Sequence, residues 1–192
     1  MAPILGIYAS QVTGHLWAPS GAYDSIATTT VGAGGSSAIT FTSIPSTYTH
    51  LQVRGIARST ASQSLFGLRL RVGNGSLDTS ANYSAHQLYG DGTSATAAAN
   101  ANTSETFMGT GTAANDLAST FCVAVIDILE YANTNIYKTI RVLEGVDTNG
   151  AGYVHLNSGG WRSTSAINTI SLYASAGNLA QYSSFALYGI KA

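Results

Sequence analysis

Apolar and polar residues alternate along this chain in short runs with a period of two, the pattern of strands that bury one face. The cleanest run is Leu65 to Val72, where Phe66, Leu68, Leu70 and Val72 oppose Arg69 and Arg71. Ala22 to Val31 also alternates well, and its Thr, Ile and Val residues suit a pleated surface. Gly32 to Gly35 closes that run and Ala38 to Ile44 opens the next, with Ile39 and Phe41 facing one way. That spacing predicts a hairpin. After Pro45, Tyr48 to Ile56 sets His50, Gln52 and Arg54 against Leu51 and Val53.

From Leu77 to Glu105 the periodicity fades. Ser80 to Leu88 reads as a short helix or an irregular crossing segment, and Asp91 to Ser104, small and polar, as a long surface loop. Order returns at Thr106 to Met108 and at Thr120 to Leu129, whose apolar run Phe121 to Ile126 predicts a central strand. Tyr137 to Val146 sets Tyr137, Thr139, Arg141 and Leu143 against Lys138, Ile140, Val142 and Glu144. Tyr153 to Leu156, Ile167 to Tyr173 and Tyr182 to Ile190 follow, and the regular alternation of the last places it inside a sheet.

About ten strands with hairpin-length turns and no βαβ rhythm predict an all-β antiparallel β-sandwich, most simply a jelly roll. Residues 1–21 carry the short apolar stretch Ile4 to Ala9 and then Trp17 before Pro19, which reads as an N-terminal arm or edge strand. Residues 22–192 are expected to form a single β-sandwich domain.

Composition changes this picture in one respect. Only 9% of the 192 residues are charged and 21 are glycine, against about 25% charged in ordinary soluble domains. With 45% hydrophobic residues, 11 Tyr and 5 Phe, the chain can still bury a sizeable core. A formal charge of −1 argues against direct nucleic-acid binding, which needs a concentrated positive field. It also removes the repulsion that keeps copies apart, so self-association is expected. No apolar run reaches membrane-spanning length, and the first residues lack the basic n-region and sustained apolar core of a signal peptide. No membrane partner is expected.

Candidate chemistry is thin. Cys122 is the only cysteine and sits in an apolar run, where a buried inert thiol is expected. Asp127 and Glu130 are close in sequence, but residues three apart on a strand face opposite ways, so ion pairing with nearby cations is favoured over a carboxylate pair. His15, His50, His86 and His155 match no close-spaced metal pattern, and Asp147-Thr-Asn-Gly150 reads as a turn rather than a calcium loop. No nucleophile elbow, phosphate loop or dinucleotide fingerprint occurs. No catalytic residue, metal or cofactor is therefore expected.

The aromatic residues are more informative. Tyr83, Tyr89, Tyr131, Tyr153, Trp161 and Tyr182 lie in or beside the less regular segments. Subunit contact or core packing is the favoured role, with stacking on a glycan the alternative. Tyr83, Tyr89 and Trp161 are the candidates for glycan or partner contact. Ile4, Leu5, Ile7, Tyr8 and Trp17 are the candidates for subunit contact through the arm.

The segments Pro3-Ile-Leu-Gly-Ile-Tyr-Ala-Ser10, Trp17-Ala-Pro19, Tyr23-Asp-Ser-Ile-Ala27, Phe41-Thr-Ser-Ile-Pro-Ser-Thr-Tyr-Thr-His-Leu51 and Ser183-Ser-Phe-Ala-Leu-Tyr-Gly-Ile-Lys191 resemble small virion proteins of tailed bacteriophages, including those of cyanobacteria. Similar openings and closings occur on phage tail and fibre proteins. The resemblance runs along nearly the whole chain, and its motifs are structural rather than catalytic. It implies a non-enzymatic virion protein, first a capsid decoration or cement protein. Such a protein would form a homo-oligomer, a trimer favoured, and bind the major capsid protein or other virion proteins. The rival implication is a tail or head fibre tip that binds a host glycan.

Overall fold

The computed structural model describes residues 22–191. The arm and its candidate contacts Ile4, Leu5, Ile7, Tyr8 and Trp17 lie outside the described residues. Thirteen strands are numbered in chain order: β1 (Tyr23–Thr30), β2 (Ile39–Phe41), β3 (His50–Ala57), β4 (Leu65–Asn74), β5 (Ser76–Leu77), β6 (Tyr83–Gly90), β7 (Ala95–Thr103), β8 (Thr106–Thr112), β9 (Cys122–Leu129), β10 (Lys138–Asp147), β11 (Gly152–Trp161), β12 (Thr169–Ala174) and β13 (Ser184–Ile190).

They build two antiparallel sheets. The larger has eight strands in the order β1-β13-β3-β9-β10-β11-β6-β7. The smaller has five: β2, β12 and β4 pair in that order, and β4 also pairs with β5 near its end and with β8 along Leu65 to Leu70. The all-β antiparallel class matches the reading of the sequence. Leu51 and Val53 of β3, Ile126 and Ile128 of β9, and Ile140 and Val142 of β10 pack against Leu68, Leu70 and Val72 of β4 and Leu172 of β12 in one buried cluster. Each such side chain contributes roughly 1.5–3 kcal/mol on leaving water. The expected inner positions of β9 and β13 are observed: β9 lies between β3 and β10, and β13 between β1 and β3.

Two expectations fail. β1 and β2 do not form a hairpin, because β1 pairs with β13 in the large sheet and β2 pairs with β12 in the small one. The glycine segment carries the chain between sheets instead of folding it back. Gly35 has a φ of 70°, and Ser36 exchanges both backbone hydrogen bonds with Leu179, at 3.0 and 2.8 Å.

The second failure is the helix or crossing segment at Ser80 to Leu88 with its following loop. Tyr83–Gly90 and Ala95–Thr103 are instead a β-hairpin at one edge of the large sheet, in register from Ser84↔Ala101 to Gly90↔Ala95, with a register shift before Tyr83↔Thr103. Strand propensity does not make β7; pairing and its turn do. The Asp91 carboxylate accepts hydrogen bonds from the backbone N–H groups of Thr93 and Ser94 at 2.9 and 2.8 Å, and Gly92 takes a φ of 87°. A side chain that organises its own turn is a strong local signal.

Candidate functional site

Two surfaces of the large sheet stand out, and they lie back to back on the same strands. On the outer face, strand register aligns Val125 of β9, Leu143 of β10, Leu156 of β11, Leu88 of β6 and Ala97 of β7 in one row. The adjacent row is Ile56, Val123, Gly145, Val154, Gly90 and Ala95. Leu143 is 58% and Val154 59% exposed, and Leu88, Val123, Leu156 and Ile56 are also exposed. Scattered apolar surface residues are ordinary, but six in register form a continuous patch of roughly 600 Å², at the upper end for a monomer surface.

The small residues of the second row leave a depression of about 650 Å³ beside Val123, Phe121 and Val154. Along the other side of the patch runs a polar row. The Asp127 carboxylate accepts from Gln52 Nε2 at 2.6 Å and from Arg141 Nη2 at 2.6 Å. The ion pairing expected for Asp127 is therefore present. Glu130 instead lies 3.8 Å from His50 Nδ1, which also accepts the Glu130 backbone N–H at 3.0 Å.

The inner face of the same strands is polar where a core would be apolar. Glu144 on β10 is register partner of His155 on β11, and His155 of Tyr89 on β6. One pair further along, Val142 meets Asn157, which meets Gln87. Glu144 and His155 are each only 2% exposed and Asn157 is 1%. Thr110 N–H donates to Glu144 Oε2 at 3.2 Å, and the Cys122 thiol lies against the same carboxyl. Glu144 Oε1, both His155 nitrogens, both Asn157 amide atoms and Thr106 Oγ1 have no hydrogen-bond partner among the described residues.

Burial pushes the Glu144 carboxyl up to about 8 and the His155 imidazole below its usual value, so both are neutral near pH 7. Burial also raises the Cys122 thiol, with the neighbouring Glu144 adding to the shift. A protonated, enclosed thiol is no nucleophile as it stands. Among the described residues, no group of three or more His, Cys, Asp or Glu side chains is placed to hold a metal ion.

β8 lies close over this polar row because it carries glycine where a side chain would collide. A Cβ on Gly109, which has a φ of 151°, would run into the Glu144 carboxyl, and one on Gly111 would meet Phe66 and Cys122 Sγ. A register shift of β8 against β4 at Leu68/Arg69 leaves Phe107 beside His155, edge-on at 5.6 Å. His155 also stacks on Tyr89 at 5.1 Å and on Tyr153 at 5.9 Å.

Of the three aromatic candidates from the sequence, only Tyr89 is partly exposed; Tyr83 and Trp161 are inside the protein. The Tyr83 hydroxyl donates to the carbonyl oxygens of Val72 and Asp78 at 2.9 and 3.0 Å and accepts from Val72 N–H at 3.0 Å. Burial pushes that phenol up to about 12. Trp161 Nε1 donates to Asp78 Oδ2 at 2.8 Å. Both rings thus lock β6 and β11 to the Asp78 turn. Tyr131, also buried, donates its hydroxyl to the Pro45 carbonyl.

Sequence reasoning missed Glu144, His155, Asn157 and Phe107. One available signal was the Met108-Gly-Thr-Gly111 spacing, in which two glycines on one strand imply a close approach by another element. No family model, curated protein or solved structure matches the chain.

Proposed function

We propose that this protein is a non-enzymatic structural subunit of a tailed-bacteriophage virion, a capsid decoration protein that attaches through the outer face of its large sheet. The exposed apolar rows centred on Leu143 and Leu156 carry this reading. A patch of roughly 600 Å² approaches the apolar core of a standard interface, which covers about 800 Å² per partner. The Asp127–Arg141 pair and Arg54 supply a polar rim. A net charge of −1 leaves little repulsion against a large, repetitive shell. The sequence resemblance to phage virion proteins points the same way, and the major capsid protein or neighbouring copies are the partners it implies.

The finer architecture we assign is a jelly roll. β1, β3, β9 and β13 lie in one sheet while β2, β4, β8 and β12 lie in the other, so the chain repeatedly crosses between layers. That wrapping is how a jelly roll closes two antiparallel sheets over one core.

The test uses the double variant Leu143→Asp/Leu156→Asp in a binding assay with particles lacking this protein. Two carboxylates in the centre of a desolvated patch should weaken attachment by about 100-fold or more. The variant's unfolding midpoint should stay within a few degrees of the parent, because both side chains face solvent. Attachment at parental affinity would sink the assignment of this face. Absence of the chain from purified virions would sink the virion assignment itself.

A further inference from the structure

The large sheet is wider than the small one. β8 is an edge strand lying over β10 and β11 and reaching part of β6, and the rest of the β6–β7 hairpin extends beyond it. Between β8 and this overhang runs a groove of about 330 Å³, bordered by Gln87, Tyr89, Tyr153 and His155 from the large sheet and by Phe107 and Thr110 from β8. The β7 side chains at this flank, Ala98 and Asn100 among them, are small and uncharged, which keeps the groove open.

The groove has two chemical layers. Tyr89, Tyr153 and Phe107 are partly exposed rings gathered around the His155 imidazole, and the Arg69 guanidinium holds the far side of Phe107 at 4.9 Å from its centroid. Beneath and beside the rings lie hydrogen-bonding groups without partners, His155 and Asn157, with the Gln87 amide at the rim. A buried amide or imidazole left unpaired costs about 1–3 kcal/mol, and of the unpaired groups His155 belongs to the groove's own lining, where a hydrogen-bonding occupant would relieve that cost.

No Asp, Glu, Lys or Arg side chain lines the groove itself. Glu144 is held against Thr110 and Cys122 beneath it, and beyond Phe107 the Glu105 carboxylate is shared by Arg69 at 3.6 Å and Arg71 at 2.9 Å. An ionic ligand would find no counter-charge in the lining. A ring with one apolar C–H face and several hydroxyl groups matches both layers.

We propose that this groove is a subsite for a neutral hexose unit of a glycan, stacked on Tyr89 and Tyr153 and hydrogen-bonded by Gln87, Thr110 and, once the Tyr89 ring turns aside, His155. The site is distinct from the outer face and does not rest on the chain's place in a virion. It replaces the cluster of Tyr83, Tyr89 and Trp161 with one that shares only Tyr89.

The experiment is a backbone-amide NMR titration of the full chain with the methyl glycosides of glucose, galactose and mannose, and with glucuronate as the charged control. Saturable shifts are expected at Gln87, Tyr89, Thr110 and His155 with at least one neutral glycoside. Glucuronate should bind at least about 10-fold more weakly, and both Tyr89→Ala and Gln87→Ala should raise the Kd of the best ligand by about 10-fold. Gln87→Ala removes no ring from the cluster, so it carries the test if Tyr89→Ala fails to fold. Four results overturn the proposal: no shifts up to about 50 mM ligand, shifts confined to residues outside the groove, equal binding of glucuronate, or an unchanged Kd in folded variants. Leu143→Asp should leave the titration unaltered, so failure of the groove and failure of the attachment face are read separately.

Discussion

Where β10 passes Leu143 and Glu144 and β11 passes Val154 to Asn157, the two strands reverse the usual order of their faces, although Ile140, Val142 and Val146 of β10 remain in the apolar core. Outward they show Leu143, Leu156 and Val154 to solvent; inward they bury Glu144, His155 and Asn157. Two strands away, β3 keeps the ordinary arrangement, with Leu51 and Val53 inside and Arg54 exposed. The same backbone pairing supports both, so the inversion belongs to the side chains and to what covers them. An apolar outer row fits a surface that a partner covers. A polar inner row at the open flank fits a surface that a smaller ligand completes.

The largest effect should come from disturbing the inner face through β8. Gly109→Ala places a methyl group against the Glu144 carboxyl at a φ of 151°, where an L residue is strained. β8 would have to lift from β10, and a loss of about 3 kcal/mol in unfolding free energy is expected from chemical denaturation. A variant as stable as the parent would mean that β8 does not sit close over the polar row.

The next effect separates the inner face from the outer by pH. In the fold the Glu144 carboxyl ionises at about 8, while unfolded it reverts to 4.5. Between those values the folded chain keeps a proton that the unfolded chain has lost, so rising pH favours unfolding. The contribution of the buried acid is complete below 4.5 and lost as pH rises through about 8. His155 runs the other way. Its lowered pKa gives a contribution complete above 6.5 and lost as pH falls through its folded value. From pH 6.5 upward the His155 contribution changes by only about 0.4 kcal/mol, and the Cys122 thiol, unfolded at 9.0 and raised in the fold, has barely begun to matter by about pH 8. Between about pH 6.5 and about pH 8.5 the parent should therefore lose about 2 kcal/mol, and Glu144→Gln should flatten that slope. Equal slopes in the two proteins would show that Glu144 ionises normally in the fold.

This inversion explains which parts of the molecule were legible in the sequence. The alternation of Leu143 with Glu144 was visible, but each row of β10 mixes apolar and charged residues, so period two could not decide which row faces inward. β4 had no such ambiguity, and its apolar row is buried as read. The β6–β7 hairpin was hidden because Ala, Asn and Thr carry little strand propensity; β7 exists through its register with β6 and the Asp91 turn. The separation of β1 from β2 depends on β13, more than 150 residues away. The groove was the least legible feature, since His155, Tyr89 and Phe107 come from three strands and meet only through their pairing.

The smallest expected effect on stability is the most discriminating test of the outer face. Leu143 stands 58% exposed in the centre of its row, so Leu143→Thr removes little buried apolar area. Thr is β-branched and suits a strand, which offsets part of even that loss. The isolated chain should change in stability by no more than about 0.5 kcal/mol, close to the limit of denaturant titration. The same substitution at the inward neighbour Val142, fully buried, should lose about 2 kcal/mol because it places a hydroxyl among Ile126 and Ile140. Under the assembly reading, Leu143→Thr should nevertheless weaken attachment measurably, since a half-exposed leucine becomes a buried one when a partner covers it. A position silent in the free protein and costly in the assembled one is what a docking face predicts. Loss of stability in the free chain equal to that at Val142 would instead make the outer row part of the fold's own packing.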